Sequence, residues 1–203
     1  MPPSTLLDAE RLTGRRIVDR LGVAVGRVDD LELLLRPAGT EPVVTAVLSW
    51  PTGTPGWSRK RLRDLGIRRA AELATACCPI RIAVPLLDDL GEEIRLSAPA
   101  AELGAMDLRD VLRDWLIPDT ILLSELLGAD VVDDSGRRAG RVVDLRLSCR
   151  RSSRGGTSLL AVGLLTEPPA RVPGRPPHEI PWTEVERVGA DGTVHAHSAD
   201  EPS

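Results

Sequence analysis

Residues 126–147 read LLGADVVDDSGRRAGRVVDLRL, and residues 12–33 read LTGRRIVDRLGVAVGRVDDLEL. Laid over each other at an offset of 114 positions, without a gap, 11 of the 22 pairs are identical. The shared residues include Gly14/Gly128, Asp19/Asp133, Gly22/Gly136, Gly26/Gly140 and Asp30/Asp144. Self-similarity of this kind marks a repeated structural unit. Each copy reads as a β-hairpin. In the second copy, 129–133 is a short apolar strand and 139–147 the return strand. Between them Asp134, Ser135 and Gly136 supply turn chemistry, polar side chains that bond the local backbone and a glycine free to take positive φ. The first copy carries Leu21-Gly22 at that turn. The glycine that opens each return strand, Gly26 or Gly140, predicts a bulge or a close backbone approach.

Working outward, 43–50 and 159–165 are β-rich apolar runs about fifteen residues past the hairpins. Ile180-Pro181-Trp182, Val185, Val188 and the strand 193–195 follow in the second half. Val84-Pro85-Leu86, Leu90-Gly91 and 94–96 are read as their counterparts in the first, with Leu86 in the place of Trp182. About five short strands per half, with turns every eight to twelve residues, predict small barrels or sandwiches. Two segments break the pattern. Residues 58–77 predict a helix inserted in the first half, with Ser58 as a candidate N-cap. Between the halves, Leu108, Val111, Leu112 and Trp115 have helical spacing, and Pro118 stops the run. The expected division is a first unit 1–97, a helical linker 98–125, a second unit 126–197 and a tail 198–203. The Pro-rich 167–177 is expected to be an exposed loop, with His178 beside it.

The pattern of Gly128, Val131, Asp133, Gly136, Gly140, Val142, Asp144 and Leu145, continued by Ile180, Pro181, Trp182, Val188, Gly189, Asp191 and Gly192, resembles the PRC-barrel domain family. The second copy matches throughout and the first over its hairpin. The resemblance implies a mainly β chain with inserted helices, two small PRC-type β-barrels in tandem joined by a helical linker. Such barrels occur in the photosynthetic reaction-centre H subunit, in ribosome maturation factors and in stand-alone bacterial and archaeal proteins. They share a habit of binding macromolecules and no catalytic site, so the resemblance implies a binding or adaptor protein with a protein partner. The stretch 108–119 followed by a hairpin also resembles the soluble part of magnesium-transporter-like proteins, which implies a regulatory module as an alternative.

Composition narrows the classes further. The 203 residues are 42% hydrophobic with a net charge of −4, which excludes a wholly basic nucleic-acid binder and a disordered chain. No apolar run reaches the length of a membrane helix. No secretory signal is evident, so a cytoplasmic location is expected. Phe, Tyr, Asn and Gln are absent and Lys60 is the sole lysine, which fits a GC-rich bacterial genome. The core must therefore be aliphatic, with four Trp as its aromatics.

Candidate sites follow. Arg59, Lys60, Arg61, Arg63, Arg68 and Arg69 put six basic residues within eleven positions. On a helix they make either a solvated face over Leu62, Leu65 and Leu73 or a stripe for phosphates, which is the RNA or ribosome reading. Arg150, Arg151 and Arg154 are read as a solvated hairpin tip. The paired Asp and Gly residues of the hairpins are read as turn formers. Trp50, Trp57 and Trp182 are candidates for an interface or a barrel cap, with core packing the first reading for Trp115 and Trp182. Cys77, Cys78 and Cys149 lack zinc spacing and read as reduced, buried fillers. His195 and His197 share a face if the strand continues, and read as a strand end rather than a metal pair. No nucleophile elbow, phosphate loop, dinucleotide fingerprint or metalloprotease helix occurs. No cofactor or enzymatic role is therefore expected. Self-association of the two similar halves is a further possibility.

Overall fold

The computed structural model describes residues 4–50, 79–103, 119–152, 156–168, 177–189 and 191–197. The chain is mainly β. Strands β1 (Thr5–Asp8), β2 (Arg16–Val18), β3 (Ala24–Arg27), β4 (Asp30–Leu34), β5 (Val43–Ser49), β6 (Ile80–Ala83), β7 (Leu87–Leu90) and β8 (Ile94–Leu96) come first. They are followed by β9 (Thr120–Leu122), a one-turn helix α1 (Leu123–Leu126), β10 (Asp130–Val132), β11 (Arg138–Arg151), β12 (Thr157–Glu167), β13 (His178–Pro181), β14 (Val185–Val188) and β15 (Val194–Ala196).

Eleven strands share one sheet along the path β14-β15-β10-β11-β12-β5-β4-β9, with β1 on β11, β13 on β12 and β6 on β5. The other four form a sheet in the order β3-β2-β8-β7. The expected hairpins are present with matching registers. Ile17 stands opposite Gly26, and Val131 opposite Gly140, each followed by a bulge. The first strand of each hairpin also runs parallel to a later strand, Ile17 beside Ile94 and Val131 beside Val194. Alternation along the strands sends one face into a common aliphatic core. Leu31, Leu33, Val44, Val47, Leu145, Leu147, Leu159, Ala161 and Leu164 are among its fully buried members.

The turns explain the repeated glycines and aspartates. Gly22 and Gly136 take φ of 82° and 76°, the left-handed region that costs an L side chain strain. Asp19 Oδ1 accepts the backbone N–H groups of Leu21 and Val23, and Asp133 Oδ1 those of Ser135 and Arg137. The opening glycine of the return strand answers to close approach. A Cβ on Gly140 would lie 2.7 Å from the Glu167 carbonyl oxygen, and one on Gly26 would collide with the Ser49 hydroxyl.

Several local expectations change. Thr120–Leu122, placed in a helical linker, is the strand β9 on β4, and α1 follows it. Thr120 and Ile121 are β-branched, which favours an extended strand beside another. The return strand of the second hairpin continues to Arg151, so Arg150 and Arg151 are paired strand residues rather than a loop tip. His178 opens strand β13, and its carbonyl accepts the Thr166 hydroxyl. Register also moves the counterpart of Trp182. Ala83 stands opposite Ala46 as Pro181 stands opposite Gly163, so Val84, not Leu86, takes that place. Val84 and Trp182 are both buried. The inserted helix 58–77 and the helical run 107–115 lie outside the described residues.

Candidate functional site

Two polar residues at the end of each repeated hairpin, Asp30 and Glu32 in the first and Asp144 and Arg146 in the second, stand against the opposite half of the chain. β1, which precedes the first hairpin, pairs with β11 of the second half. β9, which precedes the second hairpin, pairs with β4 of the first half. Leu6 faces Ser148, Leu7 faces Leu147 and Asp8 faces Arg146. At the same 114-residue offset, Thr120 faces Leu34, Ile121 faces Leu33 and Leu122 faces Glu32. The halves thus exchange equivalent strands.

The turns after these strands are capped in the same crossed fashion. The 3-10 turn Ala9–Arg11 follows Asp8, which makes no side-chain cap bond. Instead, the Asp144 carboxylate accepts the Glu10 N–H at 3.1 Å. Leu122 precedes α1, and the Asp30 carboxylate accepts the Ser124 N–H at 3.1 Å and the Ser124 hydroxyl at 2.5 Å. A capping side chain ordinarily comes from the residue at the helix start. Here each comes from the opposite half. Asp30 and Asp144 are buried. Burial raises both carboxyl pKa values above the ordinary one, against the hydrogen bonds that favour the anion.

Further crossed contacts complete the junction. The Gly39 N–H donates to the Val185 carbonyl, and the Thr157 hydroxyl to the Leu87 carbonyl. Val43 of β5 stands opposite Leu160 of β12. The two are equivalent, since their other neighbours, Leu34 and Ser148, are 114 positions apart. A local twofold relation therefore runs between them.

The charges at the junction are inverted between the halves. Glu32 accepts Arg81 at 2.5 Å and the Thr45 hydroxyl. At the equivalent place Arg146 holds Asp8 and, at 3.2 Å, Glu179. Glu32 is 3% exposed.

The remaining candidates are dispersed. Asp19 and Asp133 sit at the two hairpin turns, and backbone and side-chain donors hold their carboxyls below the ordinary value. For Asp19 the Ala100 N–H is the largest cause, and for Asp133 the Ser135 hydroxyl. Gly14 and Gly128 begin the hairpins, donating to the Val28 and Val142 carbonyls. The Trp50 backbone N–H donates to Asp29, and Trp182 is buried in the core, as its core-packing reading expects. The Cys149 thiol is half-buried and pushed up by desolvation. His197 contacts Asp134 at 3.1 Å. Among the described residues no group of three or more His, Cys, Asp or Glu side chains could hold a metal ion. No helix among them is long and apolar enough to cross a membrane. Arg59, Lys60, Arg61, Arg63, Arg68, Arg69, Trp57, Trp115, Cys77, Cys78 and Arg154 lie outside the described residues.

Sequence reasoning missed Asp8, Glu10, Glu32, Arg81, Ser124, Arg146 and Glu179. The 114-residue offset pairs Glu10 with Ser124 and Glu32 with Arg146, but unlike residues at equivalent places leave no identity to notice.

Among the described residues four large apolar side chains are exposed, Leu6, Leu21, Val23 and Leu127, and two of them stand together. At the tip of the first hairpin, Leu21 is 72% and Val23 54% exposed. The corresponding residues of the second hairpin are Ser135 and Arg137. The chain matches no model of a known protein family and no curated protein.

Proposed function

We propose that the chain is a non-enzymatic binding or adaptor protein, made of two PRC-type barrels that interlock by exchanging their first strands, and that it engages a protein partner. The observation that carries this reading is the tip of the first hairpin. A leucine and a valine stand exposed where the other hairpin has a serine and an arginine. Exposed apolar side chains grouped at one place mark interaction sites. The repeated aspartates support the same reading. They accept backbone N–H groups at turns and at the junction, work that builds a scaffold.

The test is capture from native lysate with the tagged full-length chain, with and without nuclease, at low and high salt. The expected result is a discrete protein that survives nuclease and is lost from a Leu21→Ser/Val23→Arg variant. Capture of ribosomal proteins or RNA that vanishes with nuclease or salt would transfer the function to the six basic residues at 59–69. Turnover of a defined substrate would overturn the non-enzymatic reading.

A further inference from the structure

We infer that the inverted charges at Glu32 and Arg146 select the exchanged strand pairing. Asp8 enters β11 beside Arg146, which it meets as an ion pair. Were β1 to pair with β4 of its own half, in the place β9 now holds, Asp8 would stand where Leu122 stands, opposite Glu32. Two carboxylates would then crowd one buried position and share Arg81. Like charges placed opposite each other on a sheet are unfavourable, and more so where water is excluded.

The other strand adds to the bias. In the unexchanged arrangement Leu122 would face Arg146 and the Arg146–Asp8 pair would be lost. In the observed one Leu122 lies opposite Glu32, whose carboxylate is already engaged by Arg81 and Thr45. The backbone offers no such discrimination, because both seats present the same register. Residues 5–8 and 119–122 are also short, so the hydrogen bonds they gain are nearly equal in either place. The choice falls to side chains, and position 8 is the one whose charge changes sign of interaction between the two seats.

The test is a competition for one thiol in the full-length chain. Cys77, Cys78 and Cys149 are replaced by Ser, and Leu6→Cys, Leu34→Cys and Ser148→Cys are introduced together. Position 6 faces 148 in the exchanged pairing and would face 34 in the other, and directly opposed strand residues lie within disulfide reach. Mild oxidation and peptide mass mapping read the ratio of the two bonds. With Asp8 present, the bond to 148 is expected to dominate at least tenfold. Asp8→Arg, repelled by Arg146 and attracted to Glu32, is expected to make the 6–34 bond the major product, within one chain or between two. Asp8→Asn, a mild change on a half-buried side chain, is expected to bring the ratio toward parity and serves if Asp8→Arg does not fold. The inference is overturned if position 6 keeps its tenfold preference for 148 in Asp8→Asn and in every folded Asp8→Arg sample.

Discussion

The carboxylate of Asp144 accepts the backbone N–H of Glu10, a residue 134 positions earlier in the chain. Its counterpart Asp30 does the same for Ser124, 94 positions later. Each aspartate thus closes a turn that the other half begins. Together with the exchanged strands and the pairing of Val43 with Leu160, these caps tie the halves through backbone groups, not through surface side chains alone. The N–H groups that open these two turns find their acceptors on the opposite half, so neither half completes its own capping at this place. The halves are therefore expected to unfold together.

That dependence is measurable at Asp30. Asp30→Ala removes the acceptor of both Ser124 bonds and of the Leu31 N–H. Of these donors the Leu31 N–H is the buried one; an unsatisfied buried donor costs about 1–3 kcal/mol, so urea unfolding of Asp30→Ala is expected to show a loss of about 1–3 kcal/mol. Asp30→Asn keeps one acceptor oxygen without the charge, and is expected to lie within about 1 kcal/mol of the parent at neutral pH. A loss in Asp30→Asn as large as in Asp30→Ala would contradict the capping role.

The pH dependence follows from the same burial. Asp30 and Asp144 have carboxyl pKa values raised above the ordinary 3.8, mainly by desolvation. Between 3.8 and the raised value, the folded chain holds protons that the unfolded chain has already released. Stability on their account falls as pH rises from 3.8 through the folded value, and the cost of ionising them persists above it. Asp19, Asp133 and Asp191 act oppositely, because their lowered values make stability fall as pH drops through and below 3.8. Asp30→Asn/Asp144→Asn is therefore expected to gain stability relative to the parent as pH rises above 3.8, and then to run parallel to it. Urea melts from pH 3 to 8 read this directly. A difference that is constant with pH would remove the burial argument.

The hairpins were legible because turn chemistry is local. An aspartate two residues before a turn and a glycine with positive φ must be adjacent in sequence to do their work, and Asp19, Gly22, Asp133 and Gly136 are. The same alignment showed two similar units. It did not show that β1 and β9 change places, because Leu6-Leu7-Asp8 suits either seat by pattern and differs only in the charge opposite. Arg81 and Glu179 were invisible for another reason. They are equivalent through their registers on β5 and β12, across stretches of sequence of unequal length. Trp182 was matched to Leu86 instead of Val84 for want of that register.

The exposed tip of the first hairpin gives a prediction that separates binding from folding. Leu21 and Val23 donate their backbone N–H groups to Asp19 while their side chains stay largely in solvent. Replacing them with the residues of the other hairpin, as in Leu21→Ser/Val23→Arg, leaves that backbone pattern intact, as Ser135 and Arg137 show. Exposed substitutions usually change stability by no more than about 0.5 kcal/mol. The double variant is expected to melt within that range of the parent and to lose its captured partner at least tenfold. Retained capture would move the contact elsewhere on the surface.

The opening glycines of the two return strands are equivalent in register but not in what surrounds them, so the same substitution should cost differently. A methyl on Gly140 would press on the backbone oxygen of Glu167 at 2.7 Å, with the Thr166 Cβ at 3.4 Å behind it. That oxygen belongs to β12, the strand paired along most of β11, and can move only with the sheet. A methyl on Gly26 would meet the Ser49 hydroxyl, the end of a side chain that can rotate away. The cost there is the hydrogen bond that hydroxyl accepts from the Arg27 N–H at 3.2 Å, worth about 0.5–1.5 kcal/mol. Overpacking against fixed backbone costs about 1–3 kcal/mol. Gly140→Ala is therefore expected to lower unfolding free energy by about 2–3 kcal/mol and Gly26→Ala by about 1 kcal/mol. Ser49→Ala already lacks that hydrogen bond, so Gly26→Ala should cost less in the Ser49→Ala background than in the parent. Equal losses at the two glycines would mean that the bulge conformation, not the neighbour, sets the requirement.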